Sequence, residues 1–292
     1  MREANKSAVI GAVPEGTSDA RTSAQAVREM FTSIAPRYDL LNHVLSFNVD
    51  RLWWRRTART FAHILRKPDA RVLDLCCGTG DMTFALRQQA ASASASLQIL
   101  GADFSHAMLQ RALVKSAGMN ASNGAQPHIP QPLTSQPQTP QSQTPQSQTP
   151  QPRTLQPGAP QWVEADALTL PLRDNHLDLI TSAFGFRNLA DYDAGLREIV
   201  RVLRTGGECG ILDFSEPQGL VGTAYRLYFK HILPRVGTMI SGVRGPYAYL
   251  PASVERFPQP DEMLARMRAA GLREVSWTPY TFGIAGLYRG TK

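Results

Sequence analysis

Cysteine is scarce in this 292-residue chain. There are three, and two of them, Cys76 and Cys77, are adjacent. That number and spacing build neither a disulfide framework nor a zinc site, and they point to a reducing, cytoplasmic setting. Long apolar runs are missing too. No stretch of about 18 uncharged apolar residues occurs, so no helical membrane span is expected. Residues Met1 to Lys6 carry no apolar segment of the kind found in a secretory signal, and none is expected. Acids are outnumbered: 24 Asp and Glu stand against 31 Lys and Arg, for a net charge of +7. The surplus favours anionic partners, whether nucleic acid, a membrane surface or a phosphorylated ligand, without choosing among them.

Apolar residues make up 42% of the chain, enough for a real core. The pattern predicts one domain over residues 23–292, preceded by a flexible segment, 1–22. Residues 118–160 break the rhythm. They hold "TPQSQTPQSQTPQPRT", a repeat of Pro, Gln, Ser and Thr with almost nothing to bury, and read as a disordered insertion. A polyproline ligand role would want P-x-x-P beside a basic cluster, and no run fits.

From Ala24 to about Leu65 the apolar spacing is helical (Val27, Met30, Phe31, Ile34), broken at Pro36. Strands and helices then alternate. Strands are expected at Arg71–Cys76, Leu97–Asp103, Gln161–Glu164, Leu177–Ala183 and Glu208–Phe214. Helices are expected at about 81–91, 106–117, 192–203 and 260–270. Two closing strands, about 273–280 and 284–289, are close enough for an antiparallel hairpin.

"VLDLCCGTGD", Val72 to Asp81, is the opening of a nucleotide-binding unit: apolar strand, glycine turn, helix. It fits a dinucleotide poorly. The third small position holds Thr83, and Asp81 would place a carboxylate near a pyrophosphate. A cationic ligand without phosphate, such as S-adenosylmethionine, suits it better. Gly78, Thr79 and Gly80 would approach that cofactor. Asp103 ends the second strand, where an acid can accept ribose hydroxyls. Asp166 and Ala167 follow the third, where an acid and a small residue can hold the adenine edge. Singly each feature is bland, since an Asp after a strand is often a helix cap. The conjunction carries the reading.

Three longer stretches carry a resemblance: "FTSIAPRYDLLNHVLSFNVDRLWWRR" (Phe31–Arg56), "FGFRNLADYDAGLREIVRVLRTGG" (Phe184–Gly207) and "YLPASVERFP" (Tyr249–Pro258). They resemble the C-methyltransferases of ubiquinone and menaquinone biosynthesis, from about Val27 to the C-terminus without the insertion. The first matches that family at Tyr38, Asp39, Asn42, Ser46 and Trp53. It departs at Asp50, where the family has His, and at Asn48, where Gly is common. Some members place a cofactor-contacting Ser where this chain has Ala183, with Ser182 one position earlier, so that contact is not carried over.

The resemblance implies a Rossmann-like α/β fold of the class I methyltransferases: a mostly parallel seven-stranded sheet, an antiparallel C-terminal hairpin and a helical N-terminal cap. It implies S-adenosylmethionine as cofactor, no metal, and a prenylated quinol, benzoquinol or naphthoquinol, as methyl acceptor. Thr79, Asp103, Asp166 and Ala167 become its cofactor contacts. A phenol ionises only near pH 10, so a base or cation must help at neutral pH. Arg187 could stabilise the phenolate, with a structural ion pair to Asp191 or Asp193 as the equal alternative. Tyr38 and Asp39 could cover the acceptor, and His43 reads as a packing residue.

Leu220–Leu250 mixes aromatics with Arg226, Lys230, His231, Arg235 and Arg244. It suits an amphipathic surface on lipid headgroups, which would place the protein peripherally on a membrane, with an ordinary buried helix carrying a basic face as the alternative. A homo-oligomer or a quinone-biosynthesis complex is a further possible partner. Two rival readings remain at this level: a non-catalytic cofactor-binding scaffold, and a nucleic-acid methyltransferase. The second lacks its usual signatures, because Ala183-Phe184-Gly185-Phe186 stands where an Asn/Asp-Pro-Pro-aromatic motif belongs and no cysteine lies there.

Overall fold

The computed structural model describes residues 11–14, 16–17, 19–35, 48–90, 97–122, 160–215, 217, 222 and 246–292. Tyr38, Asp39, Asn42, His43 and Ser46, the repeat within 118–160, and the basic residues between 226 and 244 lie outside them.

Two helices open the described chain, α1 (Ala20–Ile34) and α2 (Val49–Thr60), followed by the single turn α3 (Ala62–Leu65). Then come β1 (Arg71–Leu75), α4 (Asp81–Ala90), β2 (Gln98–Asp103), α5 (His106–Ser122), β3 (Gln161–Glu164) and β4 (Leu177–Ala183). The chain continues through α6 (Tyr192–Val202), β5 (Leu203–Phe214), α7 (Pro246–Arg256), α8 (Pro260–Ala269), β6 (Arg273–Tyr280) and β7 (Ala285–Thr291).

The sheet runs β3-β2-β1-β4-β5-β7-β6, with only β7 antiparallel to its neighbours. Parallel strands buried on both faces must be apolar on both, and successive residues obey this. Val72, Leu179, Leu212 and Leu287 pack on one face with α2 and α4. Leu73, Ile180 and Ile211 pack on the other with α6 and α8. The strand order reverses between β1 and β4, and in such sheets ligands bind at the carboxyl ends of the strands flanking that reversal.

The expected seven strands, hairpin and helical cap are all present. Three boundaries differ from expectation: α5 runs to Ser122, into the segment expected to be disordered, β5 starts at Leu203 and not at Glu208, and the segment 1–22 expected to be flexible contains packed residues. Within that segment Ala12 is buried, its N–H donates to the Leu189 carbonyl at 2.8 Å, and Asp19 caps α1 by accepting from the Thr22 N–H. Asn48 explains a departure from the family pattern. It starts α2 at φ 60°, a left-handed value that Gly takes freely and Asn tolerates.

Trp162 on β3 lies flat against two glycines. A Cβ at Gly101 or at Gly80 would come within 2.5 Å of its ring, so both positions exclude any side chain. Gly101→Ala is expected to lower unfolding stability by about 1–3 kcal/mol through this overlap. Gly118→Ala in α5, where a new Cβ meets nothing within 4 Å, should be neutral or stabilise by up to about 1 kcal/mol. Urea titrations of both variants check the contrast, and equal effects would contradict it.

Candidate active site

A cavity opens at the carboxyl ends of β1, β2, β3 and β4. Its polar wall carries Asp74, Asp81, Asp103, Asp166, Thr79 and Asn188, and its apolar wall includes Phe31, Trp54, Phe184 and Leu189. Among the described residues that line it, four are aspartates and none is basic.

The β1–α4 loop is tied to β2. Cys76 turns at φ 55° and Gly78 at φ 55°, and the Gly78 N–H donates to Asp103 Oδ2 at 2.9 Å. The other oxygen of Asp103 accepts from the Ser105 N–H at 2.9 Å. Burial raises the Asp103 carboxyl to about 6 against the pull of these N–H donors. Thr79 is buried, and its Oγ1 accepts from Lys115 Nζ at 2.9 Å. Lys115 reaches across from α5 and also meets Asp81 Oδ1 at 3.0 Å. Asp166 Oδ1 accepts from the Leu168 N–H at 2.9 Å, which turns the chain so that buried Ala167 faces the cavity.

Gly78, Thr79, Asp103, Asp166 and Ala167 therefore share one cavity wall. Gly80 is not among the residues that line the cavity, and a Cβ there would meet the Trp162 ring. Ala183 lines the cavity while Ser182 is buried in the strand. Burial pushes the Cys76 and Cys77 thiols well above their ordinary value, so neither is a thiolate at neutral pH.

Sequence reading passed over Asp74. It is fully buried in β1, where its Oδ2 accepts from the Thr83 hydroxyl at 2.6 Å and its Oδ1 from Thr181 at 3.1 Å. Burial raises it to about 7. An acid inside "VLDL" is itself the signal, because a charge on an apolar strand must find partners. Lys115 left no such signal, since its arrival depends on how α5 is rotated.

Arg187 needs a larger correction. It is 5% exposed and is not among the residues that line the cavity. Its ion-pair partner is neither Asp191 nor Asp193. Asp191 caps α6, and Asp193 meets Arg266 at 2.9 Å. Arg187 Nη1 pairs instead with Asp213 Oδ1 at 2.9 Å and donates to the Phe184 carbonyl, while its main-chain N–H donates to Asp213 Oδ2 at 3.0 Å. Burial raises the Asp213 carboxyl while the Arg187 charge acts the other way. The pair holds the β4–α6 loop, whose Phe184 and Asn188 do line the cavity. Arg187 is thus a positioning residue in this geometry.

The donor set tests which ligand fits. Asp81 is paired with Lys115 and Asp74 is satisfied by two hydroxyls, which leaves Asp103 and Asp166 as the acids at the strand ends beside the glycine turn, and acids there favour a cation over a phosphate. The glycine turn lets a ligand approach the backbone, and Asp103 stands at the strand end beside it. A nucleoside bearing a sulfonium and an ammonium meets these conditions, and a pyrophosphate does not.

Topology and cavity together define a class I methyltransferase, whose methyl donor is S-adenosylmethionine. A possible histamine N-methyltransferase from Thermotoga maritima shares the fold, with TM-score 0.53 and 15% identity, covering 91% of this chain and 99% of that one. A general methyltransferase-domain model matches residues 73–209. The chain belongs to the ubiE/COQ5 methyltransferase family, whose model matches residues 19–123 and 155–292 and leaves 124–154 unmatched. A demethylmenaquinone methyltransferase of Deinococcus radiodurans is 41% identical over 275 residues, covering 94% of this chain and 95% of the relative. One from Thermus thermophilus is 40% identical over 264 residues, covering 90% and 100%.

Two predictions follow from the buried charges. Arg187→Ala leaves Asp213 buried and unpaired, and it should lower unfolding stability by about 3–5 kcal/mol. The Arg187→Met/Asp213→Leu double variant should recover much of the loss, and denaturant titration of the three proteins reads both. Asp74 binds its proton more tightly folded than unfolded, so its contribution to stability falls as pH rises from about 4 to about 7. Asp74→Asn should therefore gain on the wild type over that window. A Tm difference between the two that is constant with pH would remove Asp74 as the source.

Proposed function

We propose that this enzyme transfers the methyl group of S-adenosylmethionine to a ring carbon of a prenylated quinol, with a demethylmenaquinol-type naphthoquinol as acceptor. The observation that carries the cofactor half is the glycine turn at Gly78 bonded to Asp103, with Asp166 at the next strand end, all lining one cavity. The acceptor half is supported by the demethylmenaquinone methyltransferases that match nearly the whole chain.

When bound, S-adenosylmethionine supplies an electrophilic methyl group on a sulfonium. The protein's part is to place donor and acceptor in line and to hold charge where it develops. Gly78, Thr79, Asp103, Asp166 and Ala167 form the cofactor side. Phe31, Trp54, Phe184 and Leu189 offer an apolar side suited to a flat ring, and they exclude water from it. Asn188 is the polar group on that side. Its Oδ1 accepts from the Tyr249 hydroxyl at 3.1 Å, which fixes the amide. Its position suits a hydrogen bond to a quinol hydroxyl.

Burial holds the Tyr249 phenol at about 12 and raises Tyr192 further, so neither takes a proton at neutral pH. No histidine lines the cavity among the described residues. We assign the proton to solvent at the Asn188 end of the cavity, with the Arg187–Asp213 pair keeping the loop in place. Tyr38 stays a candidate cover for the acceptor. A peripheral place on the membrane suits a prenylated substrate.

Purified protein given the cofactor and chemically reduced demethylmenaquinol should release methylated quinol, detected by a mass gain of one methylene. RNA should take up no label. Methylation of a benzoquinol but not the naphthoquinol would overturn the acceptor assignment. Asp103→Ala should weaken cofactor binding about tenfold to a hundredfold by calorimetry. Affinity for the cationic cofactor should also rise with pH from about 5.5 to about 7.5, as Asp103 and Asp74 ionise.

A further inference from the structure

The turn between β6 and β7 is held in a conformation its residues disfavour. Thr281 and Phe282 sit at φ 44° and φ 57°. A β-branched and an aromatic residue seldom take left-handed values, and such strain persists where surrounding structure imposes it. Its effect is to stand Phe282 out, 83% exposed. The adjoining helix α2 presents Leu52 at 61% exposed. Trp53 Nε1 donates to Thr281 Oγ1 at 2.8 Å, and the Arg56 guanidinium lies 4.2 Å from the Tyr280 ring centroid. The N-terminal half of α2 and the turn therefore form one surface.

That surface is basic. Arg51, Arg55, Arg56 and Arg59 all lie on the exposed face of α2, and the helix's one acid, Asp50, is buried. None of the four arginines enters an ion pair among the described residues. The surface also lies at the cavity's edge of the sheet. Trp53 packs against Phe184 at 5.7 Å and Phe214 at 6.2 Å between ring centroids, and Phe184 and Trp54 line the cavity. Aromatic rings thus run from the cavity to the turn.

We infer that Phe282, Leu52 and the arginines of α2 form a docking surface for an anionic lipid bilayer. Two protruding apolar side chains beside the exposed arginines of α2 match the interfacial layer, where rings insert among acyl chains and guanidinium groups meet phosphates. A flat protein partner would need a contiguous apolar patch. The choice of lipid over another anionic surface rests on the prenylated acceptor proposed above.

The test uses the full chain and vesicles of phosphatidylcholine, alone or mixed with phosphatidylglycerol. The wild type should sediment with the mixed vesicles, release at high salt, and leave the neutral ones unbound. Phe282→Gly removes the ring and suits the left-handed backbone, so folding is not at risk. Combined with Leu52→Ser it should weaken vesicle binding on the order of tenfold or more. Arg51→Gln/Arg55→Gln should lose the preference for phosphatidylglycerol. Methylation of a quinol in vesicles should fall in these variants while a short-chain soluble quinol is turned over as before. Vesicle binding that survives in Phe282→Gly/Leu52→Ser overturns the proposal. So does a wild-type dimer in solution that the same variant dissociates, since a second copy would then be the occupant. Vesicle binding does not require turnover, so absence of quinol methylation with intact, variant-sensitive sedimentation would refute the reaction and leave the docking surface standing.

Discussion

Three carboxyl groups buried in the central strands β1, β2 and β5 hold the active-site edge together, because each finds donors outside its own strand. Asp74 of β1 takes hydroxyls from Thr83 on α4 and Thr181 on β4. Asp103 of β2 takes the Gly78 N–H from the loop after β1. Asp213 of β5 takes the main chain and the guanidinium of Arg187 from the loop after β4. A buried carboxyl left unsatisfied is costly, so every such bond also fixes the loop that supplies it. The cavity is the space those loops enclose. Two of the bracing groups, Asp74 and Asp103, also line that space.

The constraint also explains what the arginine does. A permanent cation near a forming phenolate is an attractive catalyst, and Arg187 follows β4 at the right edge. The same position puts it over Asp213, whose charge it offsets at 2.9 Å in a site closed to water. A guanidinium already committed to a carboxylate and a carbonyl has less field to lend a third group. Its influence on chemistry passes through Phe184 and Asn188, which it holds on the cavity wall.

Most of the fold was legible from periodicity. β3, β4 and β6 lie where the apolar runs end, and the helices after β1 and β2 begin where Asp81 and His106 predict. Backbone features escaped. Nothing in the residue types announces that Asn48, Cys76 and Phe184 turn left-handed, or that the Trp162 ring closes over Gly80. The gathering of Gly78, Thr79, Asp103, Asp166 and Ala167 around one cavity was readable because one loop and two strand ends carry them in sequence order. Asp74 and Asp213 were readable in principle, as acids inside "VLDL" and "ILDF". They were missed because a strand residue's partners come from distant segments. Lys115 was not readable at all, since thirty-four residues separate it from Asp81.

The order of strands has a consequence for how the chain is made. β7 is last in sequence yet lies between β5 and β6, bonded to both. During synthesis β6 leaves the ribosome before the strand that attaches it to the sheet. Until Ala285–Thr291 follows, β5 keeps an open edge whose N–H and C=O groups can recruit another chain. The growing polypeptide can assemble β1 to β5 first, but the sheet closes only when its final strand slides in beside them, and the nascent chain is vulnerable to mispairing until that moment.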